Sequence, residues 1–136
     1  MRTEPSSRPR EVAPRGAVDP DVVFREARRA LRRGSPAEAR EGIDGLARAF
    51  EAHFALEERV YFPALSMLRP KLADALRELG EEHESMRLGL GALARGIGSR
   101  DRAELLEALE DLVAIFLRHE AREEELLVVL EYDTER

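Results

Sequence analysis

The sequence predicts an all-α protein, an antiparallel up-down four-helix bundle with a short first helix. Helix start and stop residues divide the chain into four segments joined by short connections. In the three longer segments apolar residues recur at alternating intervals of three and four, the spacing of a buried helical stripe. Strand signals are missing: there is no alternating Val/Thr/aromatic run and no Asn-Gly turn.

The first helix is read as Asp21–Arg33, with Asp19 as N-cap, Pro20 at the first turn and Gly34 as the stop. Ser35 opens the second, with Pro36 at its first position and Glu38 placed to complete a capping box. This helix is expected to run to a break at Pro63. Pro70 reopens the chain into a third helix that fades at Gly96–Gly98. Asp101, followed by Glu104, starts a fourth that continues to about Tyr132. Residues 1–19, with Pro5, Pro9 and Pro14 and no apolar period, are expected to form a flexible basic arm, and residues 20–136 the bundle. Gly42 and Gly45 are expected to let the first helix approach the second closely.

Composition excludes several function classes. With 136 residues and 43% hydrophobic content the chain can bury one core. Its apolar runs, such as Val60–Leu65 and Leu126–Leu130, are far shorter than the roughly 20 residues of a membrane span. The absence of cysteine removes disulfides, thiolate metal sites, iron–sulfur clusters and cysteine nucleophiles. The opening residues carry arginine and proline but no apolar signal region, so a cytoplasmic location is the expectation. Net charge is −6, yet residues 1–33 hold nine Arg against five acids. A basic arm on an acidic body argues against nucleic-acid binding by the body. The six serines lie in no recognisable nucleophile motif, and there is no Gly-rich phosphate loop, so no catalytic residue is assigned and an enzyme is not expected.

The stripes themselves carry the chemistry. The second helix reads Ala39, Ile43, Leu46, Phe50, His53, Glu57, Val60. The third reads Leu72, Leu76, Leu79, His83, Met86, Leu90, Leu93, Ile97, and the fourth Leu105, Leu109, Leu112, Phe116, His119, Glu123, Leu126, Leu130. All three histidines of the chain fall on a stripe, which chance would place there at about 2% if stripes occupy two positions in seven. Glutamates are costly in a core unless compensated, and no Lys or Arg occupies a stripe position. A bound cation would neutralise Glu57 and Glu123 and give the three imidazoles something to coordinate. Counting from the turns puts His83 level with the midpoint of the second helix, and His119 and Glu123 within about one helical turn of His83. Two copies of His-x-Ala-x-Glu-Glu, at His53–Glu58 and His119–Glu124, each set an imidazole and a carboxylate side by side at i, i+4.

With these residues the chain, from about Ser35 to Leu130, resembles the haemerythrin-like, HHE cation-binding family. The local signatures are HFALEERVYFPAL, EEH and HEAREEE. Members are four-helix bundles with a non-haem iron centre, usually di-iron, and a His, His-x-x-x-Glu, His, His-x-x-x-Glu pattern across the helices. The resemblance implies iron ligation by His53 and Glu57, by His83, and by His119 with Glu123. Glu124, five residues after the last histidine, is the alternative, but Glu123 continues the stripe. Mononuclear iron, zinc or manganese suits the same thiolate-free donor set. The implied function is oxygen, nitric-oxide or redox sensing or binding, or iron handling, with a small diatomic molecule as ligand.

The chain departs from the pattern at the first helix, which has no histidine. Glu11, Asp19, Asp21 or water are the substitutes considered. The alternative reading is a degenerate bundle, its metal site weakened or lost, that docks a protein partner through Arg25, Arg28, Arg29, Arg32 and Arg33. Tyr61 and Phe62 are expected to cap the core near the site, with Tyr61 a candidate hydrogen-bond donor to a ligand.

Overall fold

The computed structural model of the chain describes residues 19–135, those after Val128 by backbone alone. Apart from Asp19, the arm expected over residues 1–19 lies outside the described residues, as does Glu11. The described residues are helical almost throughout, as four rods with short connections. α1 is Pro20–Arg33. The second rod comprises α2 (Pro36–Leu56), a π-helical turn (Glu57–Tyr61) and α3 (Phe62–Leu68). After a 3-10 turn at Pro70–Leu72 follow α4 (Ala73–Gly96) and α5 (Arg102–Glu135). Among the described residues no helix is long and apolar enough to cross a membrane.

The ends form as local chemistry requires. The Asp19 carboxylate accepts from the Asp21 N–H at 3.0 Å and Pro20 takes the first helical position. Ser35 and Glu38 exchange both capping-box bonds, at 3.1 and 2.8 Å. At the α1–α2 turn the Arg102 guanidinium donates to the carbonyls of Leu31 and Gly34, filling acceptors that a helix end leaves unpaired. Between α4 and α5, Gly98 adopts φ 91°, a conformation that favours glycine.

Pro63 does not break the second helix. In α register its ring would press on the Arg59 carbonyl, and its missing N–H would leave a gap in the ladder. The chain widens instead into the π turn, where the Phe62 N–H bonds back five residues to the Glu57 carbonyl. The extra residue rotates everything beyond Glu57. Val60, expected on the buried stripe, is therefore 49% exposed, and Tyr61 is exposed too, away from the donor position expected for it. Phe62 turns inward in their place and is half-buried. Pro70 opens only the 3-10 turn, with α4 starting at Ala73.

The rods close a ring in which α1 packs on α2 and α5, and α4 packs on α2 and α5. The apolar core fills the part of the ring that α1 spans, built from its Phe24, Ala27 and Leu31 with Ile43, Leu46, Met86 and Leu109 among others. At its upper edge Phe50 and Phe116 stack at 4.9 Å, and Phe24 meets each edge-on at 5.6 Å. The polar stripe residues begin directly above this aromatic layer, at the end of the ring where α1 begins.

Only one of the two glycines expected at the α1 contact serves it. A Cβ on Gly42 would stand 2.9 Å from the Ala30 Cβ, whereas one on Gly45 would meet nothing closer than the Arg48 guanidinium at 3.8 Å. Gly42→Ala should therefore destabilise the protein by about 1–2 kcal/mol, overpacking outweighing helix propensity. Gly45→Ala should stabilise it by about 0.5–1 kcal/mol. Denaturant titration of both variants checks the opposite signs.

Candidate metal centre

Each stripe delivers its polar residues to one level. His83 from α4 and His119 from α5 are both almost wholly buried, and their Nε2 atoms lie 3.1 Å apart. Glu57, 4% exposed, sits at the start of the π turn and faces both ways. Its Oε1 is 2.9 Å from His83 Nε2, and its Oε2 is 3.0 Å from His53 Nε2. Glu123 Oε2 lies 2.9 Å from His119 Nε2 but out of line for a hydrogen bond, so this buried oxygen has none. Glu120 Oε2 is 3.2 Å from His53 Nε2.

These side chains form two overlapping groups, one of Glu57, His83, His119 and Glu123, the other of His53, Glu57, Glu120 and Glu123. Within each, one donor atom per residue lies within 4.8 Å of every other. Glu57 and Glu123 belong to both. The close approaches match the spacing of ligand atoms around an ion bound at about 2.0–2.2 Å, roughly 3–3.5 Å between neighbours. His53, Glu57, His83, His119 and Glu123 are all brought together. Glu124 is exposed and in neither group, Asp19 is spent on its cap, and Asp21 is exposed in the first turn of α1.

The outer contacts fix which nitrogens face inward. His83 Nδ1 donates to Glu58 Oε2 at 2.6 Å, and His119 Nδ1 donates to Glu82 Oε1 at 2.7 Å. Arg87 in turn donates to Glu58 at 3.2 Å, while Arg122 donates to Glu82. Two parallel Arg–Glu–His relays thus hold both rings with Nε2 directed at the centre. The His83 ring is further held by stacking on Phe54 at 4.0 Å and 12°, and on Phe62 at 5.7 Å and 18°. With both Nδ1 hydrogens committed outward, the facing Nε2 atoms need a proton or a cation between them.

The electrostatics show the same demand for positive charge. Burial raises Glu123, and the neighbouring Glu57 carboxylate adds to this against His119, so its carboxyl is pushed up to about 8. Burial opposes charge at Glu57 as well, but the facing imidazoles of His119, His53 and His83 prevail and hold it well below the usual carboxylate range. At His53, burial is outweighed by the facing carboxylates of Glu120 and Glu57, and at His119 by those of Glu123, Glu57 and Glu82. Both imidazoles are raised to about 10. These shifts favour protons on His53, His119 and Glu123, groups that the donor set could offer to a cation. The orphaned Glu123 oxygen, the facing Nε2 atoms and the mixed imidazole–carboxylate donors together fit a metal centre.

A cavity of about 750 Å³ reaches the centre from the side where α1 begins, touching Pro20, Val23, Phe50, Phe116, His53 and Glu120. It lies beside the second group of donors, whereas His83 and His119 are closed in. Of the basic residues on α1, Arg28 is engaged within the chain by a two-pronged pair with Glu110 on α5, and Arg25, Arg29, Arg32 and Arg33 are exposed.

The stripes do not point to Glu58, Glu82 or Glu120 as members of this network. Glu58 closes the first His-x-Ala-x-Glu-Glu repeat, and each of the three directly follows or precedes a stripe residue, Glu57, His83 or His119. Glu58→Gln and Glu82→Gln should each weaken metal binding about 10–100-fold, the range seen when a ligand histidine loses its outer carboxylate. Equilibrium titration against a competing chelator measures this.

Residues 21–130 match the family model of the Hemerythrin HHE cation binding domain. No curated protein and no solved structure matches the chain.

Proposed function

Because the chain belongs to the Hemerythrin HHE cation-binding family, we propose that it binds a pair of iron ions between α2, α4 and α5. The observation that carries this is the sharing of Glu57 and Glu123 by two donor groups, the arrangement of a carboxylate-bridged pair. His83 and His119 would hold one ion and His53 the other, with Glu57 and Glu123 between them. When bound, such a centre supplies reversible one-electron chemistry and an open position for a small ligand. The protein's own contribution is to fix the Nε2 lone pairs inward through Glu58 and Glu82, to keep bulk water from His83 and His119, and to leave the His53 side open through the cavity. A cavity beside His53 and Glu120 suits binding or sensing of oxygen or nitric oxide, or handling of iron, more than substrate turnover.

Anaerobic titration of the chelator-treated protein with ferrous iron, followed by exposure to air, tests the reading. Two equivalents bound and a near-ultraviolet charge-transfer absorption on oxidation are expected. Protein that takes up no iron and stays optically silent would favour the rival reading, a bundle acting by contact through its exposed arginines.

A further inference from the structure

The family's first-helix histidine has no counterpart here, and the helix that should carry it begins only at Pro20, with Asp19 used as its cap. The two donor groups are accordingly unequal. His83 and His119 give the first group two imidazoles beside Glu57 and Glu123, whereas the second has His53 as its one imidazole, beside the same two carboxylates and Glu120. Without Glu120, three ligands, two of them shared, would leave an ion there poorly held.

We propose that Glu120 is the fourth protein ligand of the second ion, a carboxylate from the last helix replacing the imidazole missing from the first. This rests on the metal-binding reading above. Glu120 follows His119 directly, so it lies about 100° further round α5, toward α1 and α2 rather than the bundle axis. That direction brings its Oε2 within 3.2 Å of His53 Nε2 and beside the cavity at the start of α1. Charge favours the same assignment. Two divalent ions with Glu57 and Glu123 alone would leave a net charge of about +2 in a largely buried site, and a third carboxylate halves it. The second position is then richer in carboxylate than the first, a harder donor set that suits iron or manganese over zinc. The two ions should bind in order, the first to the His83–His119 position.

The experiment is a ferrous iron titration of the full-length chain under anaerobic conditions, read by elemental analysis after gel filtration and by competition with a chelator. Wild type, Glu120→Ala and, as a surface control, Glu124→Ala are compared. Circular dichroism is used to confirm that helix content is unchanged. The expected result is two ions on wild type and Glu124→Ala. Glu120→Ala should keep the first ion at wild-type affinity and bind the second at least about 10-fold more weakly, no less than loss of an outer carboxylate would cause. A Glu120→Ala protein equal to wild type in stoichiometry and affinities would overturn the assignment while leaving the metal centre standing. Wild type that binds no iron would overturn the proposed function itself.

Discussion

Glu57→Gln is expected to abolish tight binding of both ions. Each carboxylate oxygen of Glu57 faces a different donor group, and an amide offers one neutral oxygen and a hydrogen-bond donor in its place. The same change removes the acceptor that His53, His83 and His119 share in the metal-free protein. Breaking a buried charge pair from one side costs about 3–5 kcal/mol. At roughly 2–8 °C per kcal/mol for domains of this general size, the metal-free variant should melt about 6 °C or more below metal-free wild type. Elemental analysis and thermal melts of chelator-treated protein check the two halves separately. Retention of two tightly bound ions by this variant would refute the bridging role.

Phe54→Ala should produce the largest loss of stability away from the ligands, about 3–5 kcal/mol. The ring is wholly buried, packs on Phe50 at 5.3 Å and stacks on the His83 imidazole at 4.0 Å. Arg87, which orients Glu58, lies over the same ring at 5.3 Å. Truncation therefore opens a cavity and loosens one Arg–Glu–His relay at once. Denaturant unfolding should show the full loss in metal-free protein. A variant within about 1 kcal/mol of wild type would mean that the layer around His83 closes up without it.

Phe54 also marks where the sequence stops being readable. The three–four alternation identifies one residue per turn on each helix, and on α4 and α5 this was enough: His83, Met86, Leu90, Phe116 and His119 all point inward. On α2, squeezed between α1 and α4, the buried face is wider than one stripe, so Phe54 is buried beside His53. Beyond Glu57 the period itself changes. A proline reads as a stop, and the cost of accommodating it as a π turn depends on neighbours that only the folded bundle provides. Val60 and Tyr61 left the core for that reason. The stripe residues could be placed at one level because turn counting in an antiparallel bundle is simple arithmetic. Glu58, Glu82 and Glu120 could not, since each reaches across to a different helix from just outside a stripe, and such reach depends on rotamers and helix rotation.

Iron K-edge X-ray absorption on protein loaded anaerobically with two equivalents of ferrous iron tests the central claim most directly, that Glu57 and Glu123 are shared by two ions. A nitrogen–oxygen shell at about 2.0–2.2 Å with a second iron within roughly 4 Å is the predicted result. Iron surrounded by light atoms alone, with no metal neighbour at that range, would contradict it.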